Sequence, residues 1–270
     1  MNIFLYLILF VMGTVFGSFL TLATYRIPLN KDITHEHSFC PHCNYKLAFW
    51  DLIPILSYLF LGGKCRKCKK KISARYPLIE FLTGLSFVGL GLALQLNIYT
   101  IGVEQIIQFA IGVLYIVFLF LIAGIDFEHG KIDKRTIIYG VVVALINIIY
   151  EYTLASMDGY AYNLNRIIIY LVSIIFISII NIETIRKTKK YDYMLDLLIV
   201  AVIMSLVTYE VTAILSIILT LLIVAIKLLI NKLFTNKKKK DVIVRTPIAA
   251  YLVISNAIVF IISCYYTISF

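Results

Sequence analysis

Ser38-Phe39-Cys40-Pro41-His42-Cys43 and Gly63-Lys64-Cys65-Arg66-Lys67-Cys68 hold two C-x-x-C pairs, with 21 residues between them. Two thiolate pairs at this spacing suit one tetrahedral zinc. The residues around them offer little apolar core, so the metal is expected to staple the segment. In a secreted chain the same cysteines would read as disulfides. The choice therefore rests on which side of a membrane the segment lies, and the rest of the sequence speaks to that.

Of the 270 residues, 61% are hydrophobic, and the mean hydropathy is +0.93. Soluble domains hold roughly 45–50% apolar residues. Eight apolar spans can be read, at 3–24, 78–95, 106–125, 137–151, 166–182, 193–208, 211–230 and 248–269. Crossing the hydrocarbon core takes about 20 residues. The expected fold is an all-α, polytopic membrane helix bundle of about eight transmembrane helices with a zinc-stapled loop. The first span has no basic residue before it, and Arg26 follows it, the reverse of a cleavable signal peptide. It is expected to be retained, with its N-terminus outside the cytosol.

The net charge is +10, and 24 of the 25 Lys and Arg residues fall in alternate loops. Residues 25–77 carry ten; Lys131, Lys134 and Arg135 follow; then Arg186, Lys187, Lys189 and Lys190; then seven within 227–246, including the run Lys237 to Lys240. Only Arg166 lies on the opposite side. Basic loops stay cytosolic, so the four-cysteine segment is expected on the reducing side, where thiols bind metal. Membrane orientation and anionic lipid account for the positive charge, and no nucleic acid partner is expected. Cys264, left over in the last span, reads as a small packing residue.

Carboxylates in apolar helices are costly and require an account. Asp126 follows Leu119-Phe120-Leu121-Ile122-Ala123-Gly124-Ile125 at the cytosolic end of the third span, where a solvated helix end would explain it equally well. Asp196 lies within Tyr193-Met194-Leu195-Asp196-Leu197-Leu198, and Asp192 one turn earlier. A hydrogen bond to a neighbouring helix would be the structural account of Asp196. On the charge map Asp126 and Asp196 share one face at similar depth. Two converging carboxylates can share a proton, leaving one acid and one base. That pair can hydrolyse a peptide bond without a Ser or Cys nucleophile. Asp196, between Leu195 and Leu197, is then the expected proton donor and Asp126 the base. His35, His37, His42 and His129 all fall in loops and form no rival constellation.

Taken together, these residues resemble the type IV prepilin peptidases, membrane aspartyl proteases of the GxGD class. The segments Gly17-Ser18-Phe19-Leu20, Tyr25-Arg26-Ile27-Pro28, Trp50-Asp51-Leu52-Ile53-Pro54 and Ile72-Ser73-Ala74-Arg75-Tyr76-Pro77-Leu78-Ile79-Glu80 are similar to that family's opening third, as are the two cysteine pairs. Ile125-Asp126-Phe127-Glu128-His129 is similar to its first aspartate segment, and Thr246-Pro247-Ile248-Ala249-Ala250-Tyr251-Leu252 to a segment near its end. The GxGD glycines are missing. Aligned on Asp196 the motif reads Tyr193-Met194-Leu195-Asp196; aligned on Asp192 it reads Lys189-Lys190-Tyr191-Asp192. The resemblance implies a catalytic pair of Asp126 with Asp196, or alternatively Asp192; the structural zinc on Cys40, Cys43, Cys65 and Cys68 is read from their spacing. The resemblance implies removal of a short basic leader from prepilin or pseudopilin precursors at an inner- or plasma-membrane site facing the cytosol. It further implies N-methylation of the new terminus with S-adenosylmethionine. Residues 1–77 would form the first helix and the cysteine loop, and residues 78–270 the protease bundle, in contact with membrane lipid. The alternative is a non-catalytic, zinc-binding membrane scaffold or assembly factor, which the missing glycines keep open.

Overall fold

The computed structural model describes residues 2–33, 37–159, 164–188, 193–208, 210–234 and 247–268. Asp192, His35, the Lys237 to Lys240 run and the side chain of Cys264 lie outside the described residues. The elements are α1 (Asn2–Arg26), a short α2 (Leu56–Phe60), α3 (Arg75–Ala93), α4 (Val103–His129), α5 (Lys134–Met157), α6 (Leu164–Thr188), α7 (Tyr193–Val207), α8 (Glu210–Phe234) and α9 (Ile248–Ile268). Among the described residues there is no strand, only isolated bridges. The protein is all-α, and among the described residues the eight helices of 15 residues or more each overlap one of the eight apolar spans.

Four of these helices, from 19 to 28 residues with the 3₁₀ turn that extends α1, are long and apolar enough to cross a membrane. Large apolar side chains stand exposed along them and along α6, Val172, Ile175, Phe176 and Ile179 among them. Contiguous apolar surface on this scale belongs against lipid. The protein is an integral membrane protein.

Several helices outrun their expected limits, α4 and α5 with a consequence for the polar residues at their ends. α4 continues to His129, so Asp126 lies within its last turn rather than just past the helix. α5 starts at Lys134 because Asp133 caps it, its carboxylate accepting from the Arg135 amide at 2.9 Å. Such a cap satisfies an orphan amide of the first turn. A count of apolar residues does not register it.

The chain forms two compact units, one of residues 1–121 with 264–270 and one of residues 122–263. In the first, α1 and α3 pack backbone against backbone. A Cβ on Gly13 would sit 2.7 Å from the Gly84 Cα, and one on Gly17 2.6 Å from the Glu80 Cα. Small residues four apart permit this approach between membrane helices. Leu20, Ala23, Phe87 and Leu90 fill the space beside it. The buried Arg26 closes the end of α1, donating to the carbonyls of Asp32 at 2.8 Å and His37 at 3.4 Å, and so fixes where the chain leaves for the cysteines.

In the second unit Ile125, Val143, Ile199, Val200, Ile203, Met204 and Ala249 form the core. Polar contacts join its helices where no water competes. Asn256 donates to Ser216 at 3.2 Å, linking α9 to α8, and Asn147 donates to the Val207 carbonyl at 3.5 Å, linking α5 to α7.

Candidate functional site

Both C-x-x-C segments fold the same way. Cys40 donates its amide to the Tyr45 carbonyl and accepts from Asn44; Cys65 donates to Lys70 and accepts from Lys69, all at 2.9–3.0 Å. Asn44 and Lys69, each just past the second cysteine, have φ of 54° and 58°. Asn tolerates this left-handed conformation more readily than Lys does. The paired turns bring the Sγ atoms of Cys40, Cys43, Cys65 and Cys68 within 4.8 Å of one another. Cys40 and Cys68 lie 3.8 Å apart. A tetrahedron with Zn–S bonds of about 2.3 Å has an edge of about 3.8 Å, so these residues fit a zinc ion. The backbone amide of Cys68 helps bring the Cys65 thiol down to about 7. The Tyr45 amide pulls Cys43 down too, but desolvation and the neighbouring thiols outweigh it and hold Cys43 at about 11. Thiols in such contact compete for charge, and a bound dication lets all four ionise.

Between the two turns, Asp51 caps its own 3₁₀ turn by accepting from the Ala48 amide at 3.2 Å and takes Arg66 Nε at 2.8 Å. That pair ties the middle of the segment to the second cysteine turn, and the Asp51 side chain is 1% exposed. Hydrogen bonding to Asp51, with its charge, raises the Arg66 pKa above its usual value. Next along, Pro54-Ile55-Leu56 makes a tight turn in which Leu56 donates to the Pro54 carbonyl and Ile55 sits at φ 61°, ψ −52°. A β-branched residue there is strained by about 1–3 kcal/mol. The turn is held because Ile55 donates its amide to Glu80 on α3 at 2.7 Å.

The aspartates belong to the second unit. Asp126 is 2% exposed, so it is not the solvated helix end that its sequence position allows, and Asp196 is 4% exposed. Asp196 lies in the first turn of α7, and Asp126 in the last turns of α4. The start of α9 meets both neighbourhoods. Ala250 donates its amide to Asp126 Oδ2 at 3.0 Å, and Ala249 donates to the Tyr193 hydroxyl at 2.8 Å. Tyr193 is three residues before Asp196, about one turn on the same face. The first amides of a helix have no partner within it and favour negative charge. α9 spends two consecutive ones on Asp126 and on the turn that carries Asp196.

The α9 start thus holds buried Asp126 directly, and through the Tyr193 hydroxyl it holds the α7 turn that also bears buried Asp196. Tyr193 was visible only as a residue standing in place of a glycine, and the Ala249 and Ala250 amides have no side-chain signature. The one available signal was the segment Pro247-Ile248-Ala249-Ala250, already similar to a family segment. Glu80 ends the motif at residues 72–80, whose sequence does not show that the Ile55 amide is its partner.

Residues 11–94 match the Bacterial Peptidase A24 N-terminal domain. The prepilin leader peptidase/N-methyltransferase of Myxococcus xanthus is 49% identical over 79 residues, 29% of this chain and 24% of that protein. Its namesake in Bacillus subtilis is 35% identical over 132 residues, 49% of this chain and 50% of that protein. That of Klebsiella pneumoniae is 36% identical over 124 residues, 44% of this chain and 50% of that protein. These matches bear out the resemblance to the type IV prepilin peptidases. The aligned part spans half the length of these curated relatives or less. No solved structure matches the chain.

Proposed function

We propose that this chain is a membrane aspartic endopeptidase that removes a short basic leader from type IV prepilin or pseudopilin precursors and N-methylates the exposed terminus. The observation that carries this reading is the seating of buried Asp126 on the Ala250 amide, beside the α7 turn that bears buried Asp196. One carboxylate takes a proton from water as the oxygen adds to the scissile carbonyl. The other donates a proton to the departing amine as the C–N bond breaks. The helix start is a fixed, dry dipole that holds Asp126 in place through that exchange. Asp192 remains the alternative partner if the second carboxylate is not Asp196.

Zinc on Cys40, Cys43, Cys65 and Cys68 is structural in this reading, since four thiolates leave no open coordination position. S-adenosylmethionine is the methyl donor that the relatives' names suggest. The distribution of basic loops supports a cytosolic orientation of the active site in this reading. The names of the relatives favour an enzyme over the scaffold alternative.

The experiment is to incubate membranes containing the chain with a prepilin and S-adenosylmethionine, and to weigh the product. The expected product has lost its leader after a Gly and gained one methyl group. An unchanged precursor contradicts the proposal.

A further inference from the structure

The cysteine segment carries large apolar side chains that it does not bury. Phe49 and Trp50 open a 3₁₀ turn, their rings 5.6 Å apart and edge to face, and that turn lies against α2. Phe49 is 74% exposed, Trp50 69% and Phe60 86%, with Leu56 and Leu59 exposed beside them. Single apolar residues at a surface need no explanation, but a contiguous patch does. α2 contributes no buried residue, so the core of the first unit does not account for its leucines and phenylalanine.

A basic turn stands next to this patch. Asp51, which follows Trp50, binds Arg66 at 2.8 Å and so ties the second cysteine turn to the aromatic one. Six of the eight residues 64–71 are Lys or Arg, all of them exposed. Lys64 and Lys71 oppose each other across an isolated bridge, where like charges destabilise. Asp51 is the one acidic residue within 38–77, and Arg66 already takes it. The remaining cations therefore suit anions from outside the chain. Clusters of about four to eight Lys and Arg beside a membrane helix attract anionic lipid.

The apolar surface also continues onto the helices that frame the segment. Tyr25 near the end of α1, and Tyr76 and Leu78 at the start of α3, are exposed. Aromatic rings and basic side chains together mark the headgroup level of a bilayer.

We propose that the turn of Phe49 and Trp50, with α2, is an interfacial anchor. Its apolar side chains enter the leaflet at which α1 ends and α3 begins, and the lysines of residues 64–71 meet anionic lipid phosphates. A bilayer fits better than a protein partner because the patch runs on into two membrane helices and is flanked by charge of one sign. The anchor ties the cysteine segment to the membrane at a third point besides its two helices. It depends neither on the aspartates nor on a methyl donor.

Trp50 is the only tryptophan in the chain, so its fluorescence reports this patch alone. The test places the full chain in lipid nanodiscs, whose two faces are both open to solvent, with bound metal measured as the sign of an intact segment. The lipid is phosphatidylcholine alone or mixed with phosphatidylglycerol, each with and without bromine on the acyl chains. In the mixed discs brominated lipid should lower Trp50 emission by about twofold or more, as for an indole about 5–10 Å into the leaflet. Aqueous acrylamide should have little effect. Bromine quenching should be weaker in phosphatidylcholine alone, and Lys67→Glu with Lys69→Glu should weaken it in the mixed discs with metal retained. Quenching by acrylamide and not by brominated lipid overturns the proposal. Shielding from both overturns it too, and points to a protein or a second copy over the patch. Equal bromine quenching in the two lipids, or in the charge-reversed variant with metal in place, overturns the headgroup contact. If that variant loses its metal, the comparison of the two lipids on the unsubstituted chain decides.

Discussion

Ala250 donates its backbone amide to Oδ2 of Asp126 at 3.0 Å, so a carboxylate near the end of α4 is seated on the first turn of α9. One residue earlier, the Ala249 amide is taken by the Tyr193 hydroxyl at 2.8 Å. Consecutive amides of one helix start thus hold Asp126 and the turn preceding Asp196. A shift of α9 would move both.

Tyr193→Phe tests that coupling. The substitution keeps the ring and removes the acceptor, which leaves the Ala249 amide without its partner. An unsatisfied buried donor costs about 1–3 kcal/mol. Precursor cleavage should slow by about tenfold or more at saturating substrate, with helix content by circular dichroism unchanged. Cleavage at the unsubstituted rate would show that the Tyr193 contact does not position the pair.

The cysteine segment should depend on its metal. Cys40→Ser or Cys65→Ser removes a buried ligand from a group whose four sulfurs lie within 4.8 Å. Metal analysis should show loss of zinc, and limited proteolysis should cut between residues 38 and 70. Ligands must be deprotonated to bind, so zinc should also leave on acidification. No zinc in the unsubstituted protein, with all four thiols open to alkylation, would contradict this.

Gly17→Leu should separate α1 from α3. Even a Cβ at Gly17 would lie 2.6 Å from the Glu80 Cα, a backbone atom that cannot swing aside. Overpacking of this kind costs about 1–3 kcal/mol or more. The expected reading is a lower melting temperature in detergent; an unchanged one would mean the helices do not pack so closely.

Orientation can be read by reporter fusions. Fusions at Lys70 and Asn236 should report the cytosol, and a fusion at Gly159 the opposite side. A cytosolic signal at Gly159 would overturn the placement of both aspartates on the cytosolic face.

The helices and the cysteines were legible because their signals are local. Apolar runs mark spans, and C-x-x-C spacing marks a ligand group. Helix ends were less so: Asp133 extends α5 through a cap and Asp126 lies within α4, and neither depends on hydropathy. The seat of Asp126 was not legible at all, because it is the Ala250 backbone amide of a helix more than a hundred residues away. The Gly13 and Gly17 contacts with α3 were hidden for a related reason, since a glycine in a helix does not say which backbone comes near it.

The central claim is that Asp126 does acid–base work on a peptide bond together with a second aspartate. Asn keeps the shape of Asp and cannot ionise. General acid–base groups contribute about 10²- to 10⁴-fold each. The direct measurement is the rate of leader removal from a prepilin by membranes bearing Asp126→Asn, Asp196→Asn or Asp192→Asn, at equal protein and equal zinc. The account predicts that Asp126→Asn and Asp196→Asn each lose at least about a hundredfold, with Asp192→Asn close to the unsubstituted rate. Loss in Asp192→Asn with activity kept in Asp196→Asn would move the second carboxylate to Asp192, and full cleavage by Asp126→Asn would contradict the account.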